Sequence, residues 1–314
     1  MSLTNSAIDR RKFLLSSASV AAAATLGSAA PAAAASPNKK MPRLFPGCCA
    51  YSYRKYLQHG PMTMEDFIDN AVKLRIVSVD MTTYYYKSTE PAYLASLRHL
   101  AFKKGVLFSG VACGVSMVHA DAAKRAQTVP EIKKWVDVTD ALGASHLRVF
   151  AGRRANYPGR ATPPPHGVTK EQAVGWVVEA MKEACDYSGK KGIVLAIEDH
   201  SGVTQHADTC LEIMHRIHSP YAGINLDITH LRPRETIYEQ IKACLPYTTG
   251  TIHIRDVFDD NTTPVDLDRV WQIFADAGLK AFPSAEYQGK EDPKTGVPKL
   301  TEKIRKLCAK YSTA

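Results

Sequence analysis

The stretch "INLDITH", residues 224–230, combines an apolar alternation with two side chains that can bind a metal or move a proton. Its three aliphatic residues occupy alternate positions, which predicts a buried β-strand with one aliphatic face. Asp227 lies on the opposite face, and His230 follows three residues later. A buried strand that ends in a carboxylate and an imidazole predicts that its polar face lines a functional site.

Similar β-rich runs recur along the chain, and a helical stretch follows each of them. We predict eight strands, near residues 44–51, 76–82, 106–112, 144–150, 193–198, 222–228, 249–254 and 280–286. Eight strand and helix units in about 270 residues predict an α/β fold that forms a single (β/α)8 TIM barrel. A doubly wound open sheet is the main alternative. Neither GXGXXG nor GXXXXGK[ST] occurs, which removes most of the support for nucleotide binding.

The N-terminal segment, residues 1–35, predicts a twin-arginine export signal rather than part of the barrel. The motif "RRKFL" at residues 10–14 precedes an Ala-rich apolar stretch and a small-residue cleavage site. A polar linker follows at residues 36–43, and the barrel is expected to occupy residues 44–311. This signal predicts transfer by the twin-arginine export machinery to the periplasm, with cleavage or retention of the signal left open.

The remaining composition narrows the classes of partner. No later segment has the roughly 20 consecutive apolar residues of a membrane span, so no stable membrane insertion of the mature chain is expected. The seven cysteines include no CxxC pair, which predicts buried thiols instead of a disulfide framework. The formal net charge is +9, but the basic residues are interleaved with Asp and Glu. That pattern is typical of a solvated surface and not of a nucleic-acid face, while homo-oligomer formation stays open.

The last four predicted strands each end in a side chain that can ligate a metal. These are Glu198 in "AIEDH", Asp227 in "NLDITH", His253 in "TIHIRD" and Glu286 in "SAEYQG". The C-terminal ends of barrel strands meet at one mouth, and strand alternation turns these polar side chains towards the barrel axis. Three carboxylates there would repel one another unless a cation offset their charge. Three oxygen donors and one imidazole predict a divalent ion such as Mn²⁺ or Mg²⁺.

Taken in order, the motifs resemble those of the xylose isomerase-like TIM-barrel family, often labelled sugar phosphate isomerase/epimerase. The resemblance covers residues 44–311 and depends on "YSYR", "IEDH", "LDITH", "HIRD" and the closing "VDLDRVWQIFADAGLKAFPSAEY". It implies that Glu198, Asp227, His253 and Glu286 hold an ion of the Mn²⁺ type, with Mg²⁺, Co²⁺ or Zn²⁺ as alternatives. It also implies that Glu198 and Glu286 flank the sugar, where one removes a proton and the other returns one.

Four further residues are candidate substrate contacts. His230 matches a family position that contacts substrate oxygens near the metal. His200 and Arg255 share the inward parity of two predicted ligands, with structural ion pairing as the alternative for Arg255. Tyr53 follows the first strand at the same end of the barrel, where it would offer an aromatic face to a sugar ring.

The leading hypothesis is a divalent-metal-dependent isomerase or epimerase that moves a proton next to a sugar carbonyl through a metal-stabilised enediolate. A carbon-oxygen lyase or dehydratase that eliminates a β-substituent from a keto sugar or 3-keto glycoside would use the same site. Less favoured are an apurinic-site endonuclease, which would need histidines on the early strands, and a non-catalytic sugar-binding protein. The sequence leaves the sugar, the native metal and the role of the loop at residues 151–167 open.

Overall fold

The computed structural model describes residues 41–152 and 167–313. The predicted export signal, most of the predicted linker and most of the loop at residues 151–167 lie outside these ranges. Within the described ranges, no helix has the length and apolar character needed to cross a membrane.

The described strands are parallel and form a closed ring. Their bounds are β1 Arg43–Leu44, β2 Gly47–Cys49, β3 Ser78–Thr82, β4 Leu107–Ser116, β5 His146–Phe150, β6 Val194–Glu198, β7 Ala222–Asn225, β8 Thr251–Ile254 and β9 Lys280–Ala285. Strands β2 to β7 pair in chain order, and β9 pairs with both β8 and β2. Bridges from Ile224 to Thr248 and from Asp227 to His253 join β7 to β8. The chain therefore folds as a single (β/α)8 TIM barrel, as predicted.

Helices connect the strands and cover the outside of the ring. Their bounds are α1 Arg54–His59, α2 Met64–Leu74, α3 Pro91–Lys104, α4 Ala122–Leu142, α5 Lys170–Gly189, α6 Ala207–Ile217, α7 Ile237–Cys244, α8 Leu267–Ala277 and α9 Pro293–Tyr311. The sequence itself marks some of the boundaries: the Thr63 hydroxyl accepts from the Asp66 amide, and the Asp66 carboxylate accepts from the Thr63 amide. Such reciprocal capping satisfies amide groups that the first helical turn leaves unpaired.

The first predicted strand, residues 44–51, needs correction. It is divided into β1 and β2, and Pro46 between them has no amide hydrogen for a continuous ladder. After β2 the chain forms a 3₁₀ helix, Ala50–Tyr53, and not further strand. Side chains two residues apart in this segment therefore do not share a face, because a 3₁₀ helix has 3.0 residues per turn.

The barrel interior is narrow, and glycines make room there for a buried histidine. A Cβ at Gly110 would lie 2.7 Å from His146 Nδ1 and 2.9 Å from Thr251 Oγ1. Gly250 has a φ of +61°, and a Cβ there would lie 2.9 Å from His146 Cδ2. Burial lowers the pKa of His146 to about 4, so its imidazole is neutral inside the barrel.

We expect Gly110→Ala to lower the free energy of unfolding by about 1–3 kcal/mol, because an added methyl group would overpack a filled interior. The matched control is Gly175→Ala in α5, where a Cβ would meet no heavy atom within 4 Å. That change should raise the free energy of unfolding by about 0.5–1 kcal/mol, since glycine weakens a helix interior. Urea unfolding measures both values, and equal effects at the two positions would contradict the packing argument.

Candidate metal centre

Four buried side chains meet at the C-terminal end of the barrel. Glu198 ends β6, His253 lies in β8, Glu286 directly follows β9, and Asp227 follows β7 by two residues. Each offers one ligand atom, and these four atoms all lie within 4.8 Å of one another. None of the four residues is more than 6% exposed. The structure thus brings together the residues that the sequence predicts as metal ligands.

The oxygen atoms of this cluster fit a cation. Among the described residues, Asp227 Oδ2 and Glu286 Oε2 are buried without a hydrogen-bond partner. Burial raises the pKa of Glu286 to about 8; His253 opposes this rise, and the charges of Asp227 and Glu198 add to it. A divalent cation would supply both the missing partner and the countercharge, and carboxylate oxygens with one imidazole are a suitable donor set.

The turn after β7 orients the Asp227 carboxylate. Asp227 Oδ1 accepts hydrogen bonds from the Thr229 amide at 2.8 Å and the Thr229 hydroxyl at 2.6 Å. This local turn is typical of Asp and leaves Oδ2 for the cluster. Asp199 accepts from the Asp227 amide at 2.6 Å, and burial, with the charge of Asp227, raises the pKa of Asp199 well above its usual range. The motif "LDITH" therefore encodes an Asp-containing turn as well as a candidate ligand.

A buried arginine that the sequence reasoning missed holds the other side of Glu198. Arg148 Nε on β5 lies 3.1 Å from Glu198 Oε2, and Arg148 Nη1 donates to the Cys113 carbonyl at 2.7 Å. Although burial opposes ionisation, Arg148 and then His253 lower the pKa of Glu198. Glu198 is thus held as a carboxylate. The available signal was a charged residue within the apolar strand "HLRVF" that shares its inward parity with His146.

A second missed residue, Asp80 of β3, approaches His253 from the side opposite the cluster. Asp80 Oδ2 lies 2.9 Å from His253 Nε2, while His253 Nδ1 lies 3.4 Å from Glu198 Oε1 and 3.8 Å from Glu286 Oε2. The two nitrogens of one imidazole therefore face different carboxylates. The sequence showed Asp80 as a lone acid in a β-rich run, without indicating which distant side chain it would meet.

Three of the predicted substrate contacts lie beside the cluster. The rings of His200 and His230 pack edge to face with centroids 4.6 Å apart, and both offer ligand atoms within 4.8 Å of one from Glu198. Arg255 is 4% exposed, and its Nη1 lies 3.4 Å from His230 Nε2 and 3.4 Å from Thr229 Oγ1. Although burial opposes ionisation of Asp227, His230 and then Arg255 lower its pKa, so the charge of Arg255 acts on the cluster.

The fourth predicted substrate contact, Tyr53, does not lie beside the cluster. Its ring is 3% exposed and packs edge-on against Phe67 of α2, with centroids 6.2 Å apart. The sequence predicts Tyr53 just after the first strand, at the barrel mouth, but it ends the 3₁₀ helix Ala50–Tyr53 and packs against α2. Tyr51 lies near enough to Glu286 for the charge of that carboxylate to add to the rise that burial causes in the pKa of its phenol.

The chain matches the family model described as xylose isomerase-like TIM barrel over residues 69–307. It belongs to the xylose isomerase-like TIM barrel family. No functionally curated protein matches the sequence of this family member.

Solved structures with the same barrel carry different activities in their descriptions. The D-allulose 3-epimerase of a Methylomonas species, in complex with D-allulose, is 19% identical with a TM-score of 0.64, and the alignment covers 86% of this chain and 98% of that one. The probable 3-DHS dehydratase AsbF of Bacillus anthracis is 12% identical with a TM-score of 0.63, and the alignment covers 84% of this chain and 98% of AsbF. The IOLI protein with a bound zinc atom is 16% identical with a TM-score of 0.66, and the alignment covers 87% of this chain and 100% of the IOLI chain. At these identities the similarity shows the shared xylose isomerase-like fold.

We expect a divalent cation to stabilise this xylose isomerase-like protein. Free metal at 100 times the Kd would add about 2.7 kcal/mol to the free energy of unfolding. Asp227→Ala should abolish the stabilisation, whereas Asp256→Ala should retain it, because Asp256 pairs with Lys303 at the surface. Thermal unfolding after chelator treatment, with and without Mn²⁺ or Mg²⁺, measures the effect. An equal stabilisation of both variants would contradict the assigned site.

The ion pair between Arg148 and Glu198 leads to a second prediction. Arg148→Met should lower the free energy of unfolding by about 3–5 kcal/mol, because it leaves a buried carboxylate without its partner. The double variant Arg148→Met with Glu198→Gln should lose less than Arg148→Met alone, since no buried charge is then left unpaired. Urea unfolding of the single and double variants in chelator gives the coupling free energy, and strict additivity would argue against the pair.

Proposed function

We propose that this protein is a divalent-metal-dependent sugar isomerase or epimerase that transfers a proton next to a carbonyl. The observation that carries the proposal is the convergence of Glu198 and Glu286 with Asp227 and His253 in the barrel mouth. The fold shared with a D-allulose 3-epimerase in complex with D-allulose supports this substrate class.

The four converging residues would hold the cation, for which we propose Mn²⁺ over Mg²⁺, Co²⁺ and Zn²⁺. When bound, the metal would polarise the substrate carbonyl and so acidify the neighbouring C–H bond. The donor set of three carboxylates and one imidazole suits a hard or borderline ion.

Glu198 and Glu286 would remove and return the proton. They approach His253 Nδ1 from β6 and β9, so the two carboxyl groups enter the mouth from different parts of the ring. Arg148 keeps Glu198 ionised, as a general base requires. Glu286 has two carboxyl oxygens, so that Oε2 would bind the cation while the other oxygen transfers the proton.

His200, His230 and Arg255 would orient the sugar. The two imidazoles adjoin Glu198 and would bind substrate hydroxyl groups. Arg255 is buried, and its Nε has no hydrogen-bond partner among the described residues. This guanidinium would therefore donate to a carbonyl or enolate oxygen, where a fixed positive charge stabilises developing negative charge.

The buried charges favour an uncharged sugar. Around the cluster, four carboxylates face two guanidinium groups, and these residues are Asp80, Glu198, Asp227, Glu286, Arg148 and Arg255. A divalent cation would bring the sum of these charges to zero. A phosphorylated substrate would add uncompensated negative charge to a buried site, which is energetically costly.

Elimination at the same site is the second candidate. The fold shared with a probable 3-DHS dehydratase supports it, and loss of a β-substituent from a keto sugar or 3-keto glycoside begins with the same proton removal. After that step, isomerisation or epimerisation returns a proton to the substrate, whereas elimination expels the β-substituent.

Incubation of the metal-loaded protein with ketoses and 3-keto glycosides in D₂O, followed by NMR, tests the proposal. Deuterium at a carbon that the product retains would support isomerisation or epimerisation, whereas release of water or an aglycone would support elimination. Absence of exchange and of elimination across the panel would overturn both candidates.

A variant of the proposed acid or base separates catalysis from binding. Glu286→Gln should reduce kcat by about 10²–10⁴-fold, because the amide cannot exchange a proton with the substrate. Glu212→Gln is the control, since Glu212 forms an exposed ion pair with Arg216 on α6. Sugar binding by calorimetry should persist in both variants. Unchanged turnover in Glu286→Gln would count against its role.

A further inference from the structure

The geometry points to Asp80 as a positioning residue that fixes the ring orientation and the N–H tautomer of His253. This inference rests on the proposed metal site but is independent of the reaction performed there. Asp80 Oδ2 lies 2.9 Å from His253 Nε2, and both side chains are almost completely buried. Asp80 does not belong to the four-residue cluster and faces the opposite edge of the imidazole.

The role follows from the hydrogen-bonding capacity of the two groups. A carboxylate accepts hydrogen bonds only, so the imidazole must donate an N–H to Asp80 through Nε2. A neutral imidazole carries one N–H, which leaves Nδ1 with a bare lone pair that faces Glu198 and Glu286. A metal ligand needs such a lone pair, and a partner on the far nitrogen orients the ring and selects the tautomer.

The local backbone is built to admit this carboxylate. The register between β3 and β4 shifts between Val79 and Asp80, so that Asp80 pairs with Gly110. A Cβ at Gly110 would lie 3.5 Å from Asp80 Oδ1, in contact with the carboxylate. Bulges of this kind redirect a side chain, and here the irregularity and the glycine together give Asp80 room inside the ring.

Cys49 adjoins the same pair and raises an alternative. Cys49, Asp80 and His253 offer ligand atoms within 4.8 Å of one another, so this group has the composition of a separate metal site. Such a site would take His253 Nε2 and place the N–H on Nδ1, which could then not ligate a metal in the four-residue cluster. This group offers three ligand atoms where the main cluster offers four, and Cys49 Sγ lies 3.7 Å from Thr82 Oγ1, a partner outside the group. The hydrogen bond from His253 to Asp80 therefore accounts better for the arrangement.

The test measures metal affinity and the His253 tautomer in Asp80→Leu and Asp80→Asn. Titration calorimetry with Mn²⁺ should show about a 10–100-fold weaker Kd for Asp80→Leu, the usual effect of losing such a partner. Asp80→Asn retains an acceptor oxygen and should lose less. Long-range ¹H–¹⁵N NMR of the Mg²⁺-loaded protein should show a hydrogen-bonded Nε2–H signal of His253 in the unmodified chain, and this signal should shift and exchange faster with solvent in Asp80→Leu.

Ser78→Ala is the matched control, since Ser78 is fully buried, lies in β3 and shares the parity of Asp80. Its Mn²⁺ affinity and its His253 Nε2–H signal should equal those of the unmodified protein. Wild-type affinity and an unchanged Nε2–H signal in both Asp80 variants would overturn the positioning role alone. Absence of metal binding by the unmodified protein would overturn the proposed metal site as well. If the unmodified protein binds two ions and Asp80→Asn binds one, the result would favour a metal site at Cys49 and overturn the inference. If Asp80→Leu does not fold, the metal affinity of Asp80→Asn decides whether Asp80 positions His253.

Discussion

The balance of buried charge around His253 is the constraint on which the rest of the site depends. This imidazole is fully buried between Asp80 on one side and Glu198 and Glu286 on the other. Although burial opposes it, the carboxylates, Glu286 first, raise the pKa of His253 well above its usual range. Without a cation the imidazole is therefore their positive partner. A metal at Nδ1 would replace a proton in that role, so that metal binding and proton release are coupled.

The barrel makes this concentration of charge tolerable because several of the buried groups have partners from other parts of the ring. Arg148 comes from β5 to Glu198, Thr229 binds Asp227 from the turn after β7, and Arg255 adds a guanidinium beside His230. Closed parallel sheets turn alternate side chains inward, so a polar layer can be assembled without breaking the aliphatic layer outside it.

The sequence predicted the four candidate ligands because two local rules apply to them. Strand alternation gives the face of a residue such as Glu198, and the C-terminal ends of parallel strands meet whatever their exact register. The same rules gave His200 and Arg255. Tyr53 does not lie with them, because the chain leaves the strand geometry at Ala50 and the Tyr53 ring packs against Phe67.

The amino-acid sequence by itself determined the barrel and the inward-facing acids, because periodicity and strand-end position are properties of neighbouring residues. Only the tertiary structure decided that Asp80 meets His253 and that Arg148 meets Glu198. These partners are set by register, ring closure and the space left by Gly110, which depend on contacts between distant strands. A charged residue in an apolar strand can be recognised in the sequence, but its partner is fixed only when the ring closes.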